Sequence, residues 1–213
     1  FALVCKPWRK AQLKVGGPLR IRVRWDVLLP GNVALAKWAV AEGCPRENEN
    51  GYTMAAAAAE YGHEELVRWL IQEQGFAMDK DVMMQAVVGD NMELVQWLRG
   101  EGCGWVAEEV LMTSSIGGNR KVLSWFRENG LDWVANGNYG LLTCAGAAGG
   151  GHLELLQWLR AEGCPWNWRT SHLAVEQGHV EVLRWARENG CPWDSFIRDK
   201  AAAELGYTDD LGN

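Results

Sequence analysis

The sequence predicts an all-α, helix-turn-helix repeat solenoid of about six units joined by short connectors. Three observations carry this. One short pattern, seen as GHVEVLRWARENGCPWD at residues 178–194, recurs along the chain. Each copy has the apolar spacing of a helix and closes on a glycine. The composition, 48% hydrophobic and 23% charged residues, is that of a folded globular chain and excludes a disordered one.

The elements follow in order. Residues 1–30 fit no copy: they carry seven basic side chains against Asp26 alone, and RIRVRW (20–25) alternates with period two, as a strand or an extended edge does. This basic segment is expected to associate with the acidic remainder, since residues 31–213 hold 14 basic and 26 acidic groups, a net −12 within a total of −6. Phe1 in place of a Met reads as the start of a fragment. From Gly31, GNVALAKWAVAEGCP opens the array, which runs over 31–207. GHEELVRWLIQEQGF follows at Gly62, DNMELVQWLRGEGCGW at Asp90, GNRKVLSWFRENGLDW at Gly118, GHLELLQWLRAEGCPW at Gly151 and GHVEVLRWARENGCPW at Gly178. Their tryptophans fall at 38, 69, 97, 125, 158 and 185, in steps of 31, 28, 28, 33 and 27. Gly43, Gly75, Gly102, Gly130, Gly163 and Gly190 close the copies. A fixed period of this size is the mark of stacked repeats.

In the last copy Val180, Val182, Leu183, Trp185 and Ala186 build an apolar stripe, while Glu181, Arg184 and Glu188 can pair on the other side. A second, Ala-rich helix precedes each turn, as in TMAAAAAEYG before His63, LLTCAGAAGGG before His152 and TSHLAVEQG before His179. Such a pair cannot bury its own apolar face, and a stack of pairs can. AAAELGYTDDLGN then begins a seventh unit, with Ala201–Ala203 in its first helix and Gly206 at its turn; residues 208–213 read as a truncated end.

These residues resemble the ankyrin repeat. NGYTMAAAAAEYGHEELVRWLIQEQG (50–75) has the Gly-x-Thr start, Ala-rich first helix, Gly-His turn and Gly-closed second helix of that family, and the GCPW copies are similar to a Trp-rich variety. The resemblance covers roughly residues 31–207 and departs from the family in two ways. The commonest step is 27–28 rather than about 33, which implies that several projecting hairpins are clipped. The Thr-Pro-Leu-His motif is degraded: Thr53 keeps only its Thr, and Ser171-His172-Leu173 is a loose echo. The resemblance implies a scaffold or adaptor, one that recruits partners for modification by a domain attached in a longer protein.

The repeated residues read as architecture. The six helix tryptophans are expected to form a core ladder. Trp105, Trp133, Trp166 and Trp193 are expected to fold back over their own helix pairs. Cys44, Cys103, Cys164 and Cys191 share one position, and stacked units stand ~8–10 Å apart, beyond the ~7 Å a disulfide spans. Reduced thiols point to an intracellular setting, cytoplasmic or nuclear. His63, His152 and His179 are expected to bond backbone at the turns, with no zinc-type spacing. Gly149-Gly150-Gly151 lacks the strand and Lys-Ser/Thr of a phosphate loop and falls at a turn, where the extra length of the 33-residue step is expected. No catalytic arrangement is found; no enzyme, cofactor or membrane span is expected, and neither a nucleic-acid nor a small-molecule partner. The alternative is a metal- or redox-responsive protein using the His and Cys positions.

The function expected is therefore protein–protein interaction, with the partner chosen by residues that do not repeat. The candidates are Arg46, Asn48, Lys80, Glu108, Asn136, Asn138, Tyr139, Trp168, Arg169 and Arg198. With them stand Glu47, Asn50, Asp79, Asp81, Val106, Glu109 and Ser195 in the connectors and first-helix starts. Trp168, an aromatic without a counterpart in the other copies and beside Arg169, is the leading one.

Overall fold

A computed structural model describes residues 33–41, 46–47, 51 and 53–207. The expected extended edge at 20–25, Cys44, Asn48, Asn50 and the end at 208–213 lie outside these residues. Twelve helices form the described fold: α1 (Val33–Ala41), α2 (Met54–Glu60), α3 (Glu64–Gln72), α4 (Lys80–Val88), α5 (Met92–Gly100), α6 (Ala107–Ile116), α7 (Arg120–Glu128), α8 (Gly137–Gly149), α9 (Leu153–Ala161), α10 (Trp168–Glu176), α11 (Val180–Glu188) and α12 (Ser195–Leu205). They make five complete pairs, α2–α3 to α10–α11, with α1 as the second helix of a leading unit and α12 as the first of a trailing one. The first helices stack in chain order, α2 on α4, then α6, α8, α10 and α12. This is the predicted solenoid. One β-bridge, Glu47 to Thr53, closes the longer loop before α2. The later connectors have six to eight residues.

Local chemistry sets the boundaries. Thr53, Asp79, Asn167 and Asp194 cap their helices by accepting a bond from a backbone N–H two or three residues on. Asp194 starts α12 six residues before the expected Ala201, so the Ala run is the middle of the helix. The turn within each pair needs one left-handed residue, which is Gly at 62, 118, 151 and 178 and Asp90 at φ 52° in the second pair. At Gly151 a Cβ would also lie 2.6 Å from the His179 ring.

The extra length of the 33-residue step is not in that turn. Gly150-Gly151-His152 has the same form as Gln177-Gly178-His179, and the added residues extend α8 to 13 residues and its connector to 129–136. A turn that must place one left-handed residue cannot lengthen without breaking the pair, whereas a helix start can. Gly146 and Gly149 then let α8 lie close to its neighbours: Cβ atoms there would stand 2.9 Å from Ser115 Cβ and 3.3 Å from Leu173 Cβ.

The core is aliphatic. Leu66, Val67 and Leu70 of α3, Leu94, Val95 and Leu98 of α5, Val122, Leu123 and Phe126 of α7, and Leu155, Leu156 and Leu159 of α9 are buried. Ala55–Ala59 of α2 are buried as well, which allows close stacking. The helix tryptophans do not form this core. Trp69, Trp97, Trp125, Trp158 and Trp185 are half-buried and pack against it from the flank of the stripe. Buried residues at three positions per helix already fill the space between units, so the ring lies along the side.

Candidate interaction surface

The repeated motif builds a clasp at the end of each pair. In α5, α7, α9 and α11 an Arg of the last turn, Arg99, Arg127, Arg160 or Arg187, lies over the connector ring of Trp105, Trp133, Trp166 or Trp193, at 5.8, 5.2, 4.2 and 4.4 Å. Arg160 and Arg187 also donate to the carbonyls of Cys164 and Cys191. The thiol completes the closure. Cys103 donates to Asp79 O at 3.1 Å, Cys164 to Gly140 O at 3.4 Å and Cys191 to Asn167 O at 3.5 Å, each reaching back 24 residues to the start of the pair's first helix. The connector tryptophans fold back as expected and also meet the next unit: Trp105 against Phe126 at 4.7 Å, Trp133 against Trp158 and Trp166 against Trp185, both at 5.8 Å. Trp133 alone among the described tryptophans is fully buried.

The turn residues join successive units. His152 Nε2 donates to Ile116 O at 2.7 Å and His179 Nε2 to Gly149 O at 3.0 Å; Asn119 and Asn91 take the same part with Val87 O and Gly62 O, at 3.3 and 3.4 Å. An amide replaces imidazole here because both can donate to a carbonyl about one unit away.

The thiols are shielded. Cys103, Cys144, Cys164 and Cys191 are buried and free. Burial, with the charge of Asp79, pushes the Cys103 thiol up to about 11. Contact with the Cys164 thiol, then burial, raises Cys144, and burial raises Cys191. Such thiols are poor nucleophiles and poor metal ligands at neutral pH. Among the described residues no group of three or more His, Cys, Asp and Glu could hold a metal ion.

The residues that do not repeat occupy the first helices and connectors. Trp168, 45% exposed, stands at the start of α10, its ring 5.7 Å from that of His172 and from the Arg169 guanidinium. Phe196, the second residue of α12 where Trp168 is the first of α10, is 66% exposed. One turn below lie His172 and Lys200, then Glu176 and Glu204, linked across the two helices: His172–Glu176 3.2 Å, Glu176–Lys200 3.7 Å, Lys200–Glu204 4.0 Å. This chain of charges fixes the ground on which the two aromatics stand.

The other candidates are spread along the array. Lys80 is exposed and pairs with Glu109 at 3.3 Å; Glu108 is exposed beside it on α6. Asn136 and Asn138 are exposed at the start of α8, while Tyr139 is half-buried against the core. Arg46 is exposed, yet it donates to Gln74 O at 2.6 Å and Gly75 O at 3.1 Å and lies 4.7 Å over Phe76. Arg198 is exposed, 3.4 Å from Asp199. Sequence reasoning passed over Phe196 and the exposed apolar residues Tyr61, Val88 and Ile116. An apolar residue at the end of a helical stripe reads as core unless the stripe's depth is known. No described helix is long and apolar enough to cross a membrane.

Helix pairs stacked in chain order, most of them closed by the same clasp, define a class, the helical-repeat proteins. Residues 27–108 match the family model of ankyrin repeats in three copies. Among solved structures the chain is similar to the ankyrin repeat domain of human ASB11, with 16% identity and a TM-score of 0.59 over 79% of this chain and 83% of that one. No curated protein matches. Residues 27–108 are thus matched as ankyrin repeats, the fold of the chain is that of an ankyrin repeat domain, and ankyrin repeats are generally modules that bind other proteins.

Proposed function

We propose that the chain is a scaffold or adaptor that holds a partner protein across its first helices and connectors. The observation that carries the reading is the division of labour between residues. The repeated Arg, Cys, His and Trp are engaged in clasps, turns and the flank of the core, whereas Trp168 and Phe196 stand exposed near the starts of neighbouring helices. Exposed aromatics on a rigid helical ground, with Arg169 beside them, are what binding hot spots are made of. Asn136, Asn138, Tyr139, Lys80, Glu108, Arg46 and Arg198 extend the surface toward the other units.

The test is capture of a partner from cells by the intact chain, quantified by mass spectrometry, beside a Trp168→Ala, Arg169→Ala variant. The reading predicts a saturable protein partner that the variant loses by about tenfold or more, the worth of one hot spot. Equal capture by both chains contradicts it.

A further inference from the structure

The negative charge of the array is not evenly spread. Residues 53–116 carry 11 acidic and three basic side chains, a net −8, while residues 117–207 carry ten and nine, a net −1. The three basic groups of the first half are committed: Arg68 to Glu64 and the Trp97 ring, Lys80 to Glu109, and Arg99 to the Trp105 ring. Within this acidic half lies a row of exposed apolar side chains. Val88 and Ile116 end α4 and α6 one unit apart, 45% and 49% exposed, and Tyr61, 43% exposed, follows the end of α2 one position further along, level with Gly89. Met84 and Met112, one turn back on the same helix faces, are half-buried. Beside the row, an open depression of about 410 Å³ is lined by Gly62, Gly89, Asp90, Asn91, Glu93 and Lys121.

We propose that this row is the seat of a basic amphipathic helix of a partner protein; the inference rests on the interaction-module reading. Stacked units advance by ~10 Å, and seven residues of α-helix advance by about 10.5 Å, so apolar side chains seven residues apart meet Val88 and Ile116 in turn, with Tyr61 beside the end of the row. A β-strand does not match this step, because its same-face residues fall at multiples of about 6.7 Å. Methionines beside the row adapt to the anchor that arrives. The surplus carboxylates select a Lys- or Arg-bearing flank, and a basic side chain fits the depression at Asp90 and Glu93.

The test uses the full chain and a synthetic amphipathic peptide of about 21 residues, with Leu every seventh residue and Lys on both flanks, titrated by calorimetry. Binding is expected to weaken about tenfold or more when salt rises from about 0.05 to about 0.5 M, and to fall at least tenfold in a Val88→Glu, Ile116→Glu chain. Circular dichroism checks the fold of that chain, and a milder Val88→Ser, Ile116→Ser chain should lose affinity to a smaller extent. Absence of binding, equal binding by the variants, or equal binding of a Glu-flanked or a Pro-rich peptide overturns the proposal. Cross-links from residues 1–30 to this row, or self-association of the chain abolished by Val88→Glu, also overturn it, since the occupant is then the chain's own basic segment or a second copy. If the peptide fails while capture of a partner still depends on Trp168, the interaction-module reading stands and this inference alone falls.

Discussion

Gly151 and Gly190 have nearly the same backbone, at φ 76° and 79°, and different surroundings. A Cβ at Gly190 meets nothing within 4 Å, so Gly190→Ala should cost about 1 kcal/mol of backbone strain. At Gly151 the same methyl would displace the His179 ring and its bond to Gly149 O, so Gly151→Ala should cost at least about 2 kcal/mol. Urea unfolding of the two variants measures the difference, and equal shifts would contradict it. The tryptophans divide in the same way. Trp133→Ala should cost about 3–5 kcal/mol, since the ring is fully buried. Trp97→Ala should cost about 1–2 kcal/mol, because its half-buried ring loses contact with Arg68 and the flank of the core only. In a chain freed of Cys5 and Cys44 by serine substitution, a thiol reagent at pH 8 should label the four buried cysteines no faster than the protein unfolds. Rapid native labelling would favour a redox-active chain.

At the scale of the element, the clasp and the connector set how units hold together, and one of them is sensitive to acid. Arg127 of α7 pairs with Glu162 at the end of α9, and that hydrogen bond holds the Glu162 carboxyl below its ordinary value of 4.5. The backbone N–H groups of Ala135, then Val134, hold Asp132 below 3.8 in the connector between them. Both groups have lowered folded values, so their stabilisation is present above the unfolded values and is lost as pH falls through the folded ones. Thermal stability should therefore decline on acidification below about pH 4.5, and Glu162→Gln should flatten part of that decline. An unchanged acid limb in this variant would count against the pair. The units themselves were legible in the sequence: the Gly spacing gives each second helix and its stop. The depth of each residue was not. Helical period tells which side of a helix is apolar, and it does not say which of four apolar positions meets the neighbour, so Trp97 read as core and Val88 did not read as surface. Phe196 was missed for a different reason. The Ala run at 201–203 is the plainest helix signal in this stretch, and the Asp194 cap that begins α12 lies seven residues ahead of it.

For the whole molecule, repetition and function are written in different residues. Repetition keeps the clasp of Arg and Trp because every unit must close in one way. The exposed positions of the first helices are free to vary, and they do: aromatics on α10 and α12, aliphatics amid carboxylates on α4 and α6. The measurement that reaches this most directly is hydroxyl-radical footprinting of the chain with its captured partner, since Trp, Phe and Met report well in it. Protection of Trp168, Phe196, Met84 and Met112, with Trp97, Trp125 and Trp158 as reactive as in the free chain, is the result predicted. Protection of Trp97, Trp125 and Trp158, with Trp168 and Phe196 left reactive, would place the partner on the second helices and contradict the proposal.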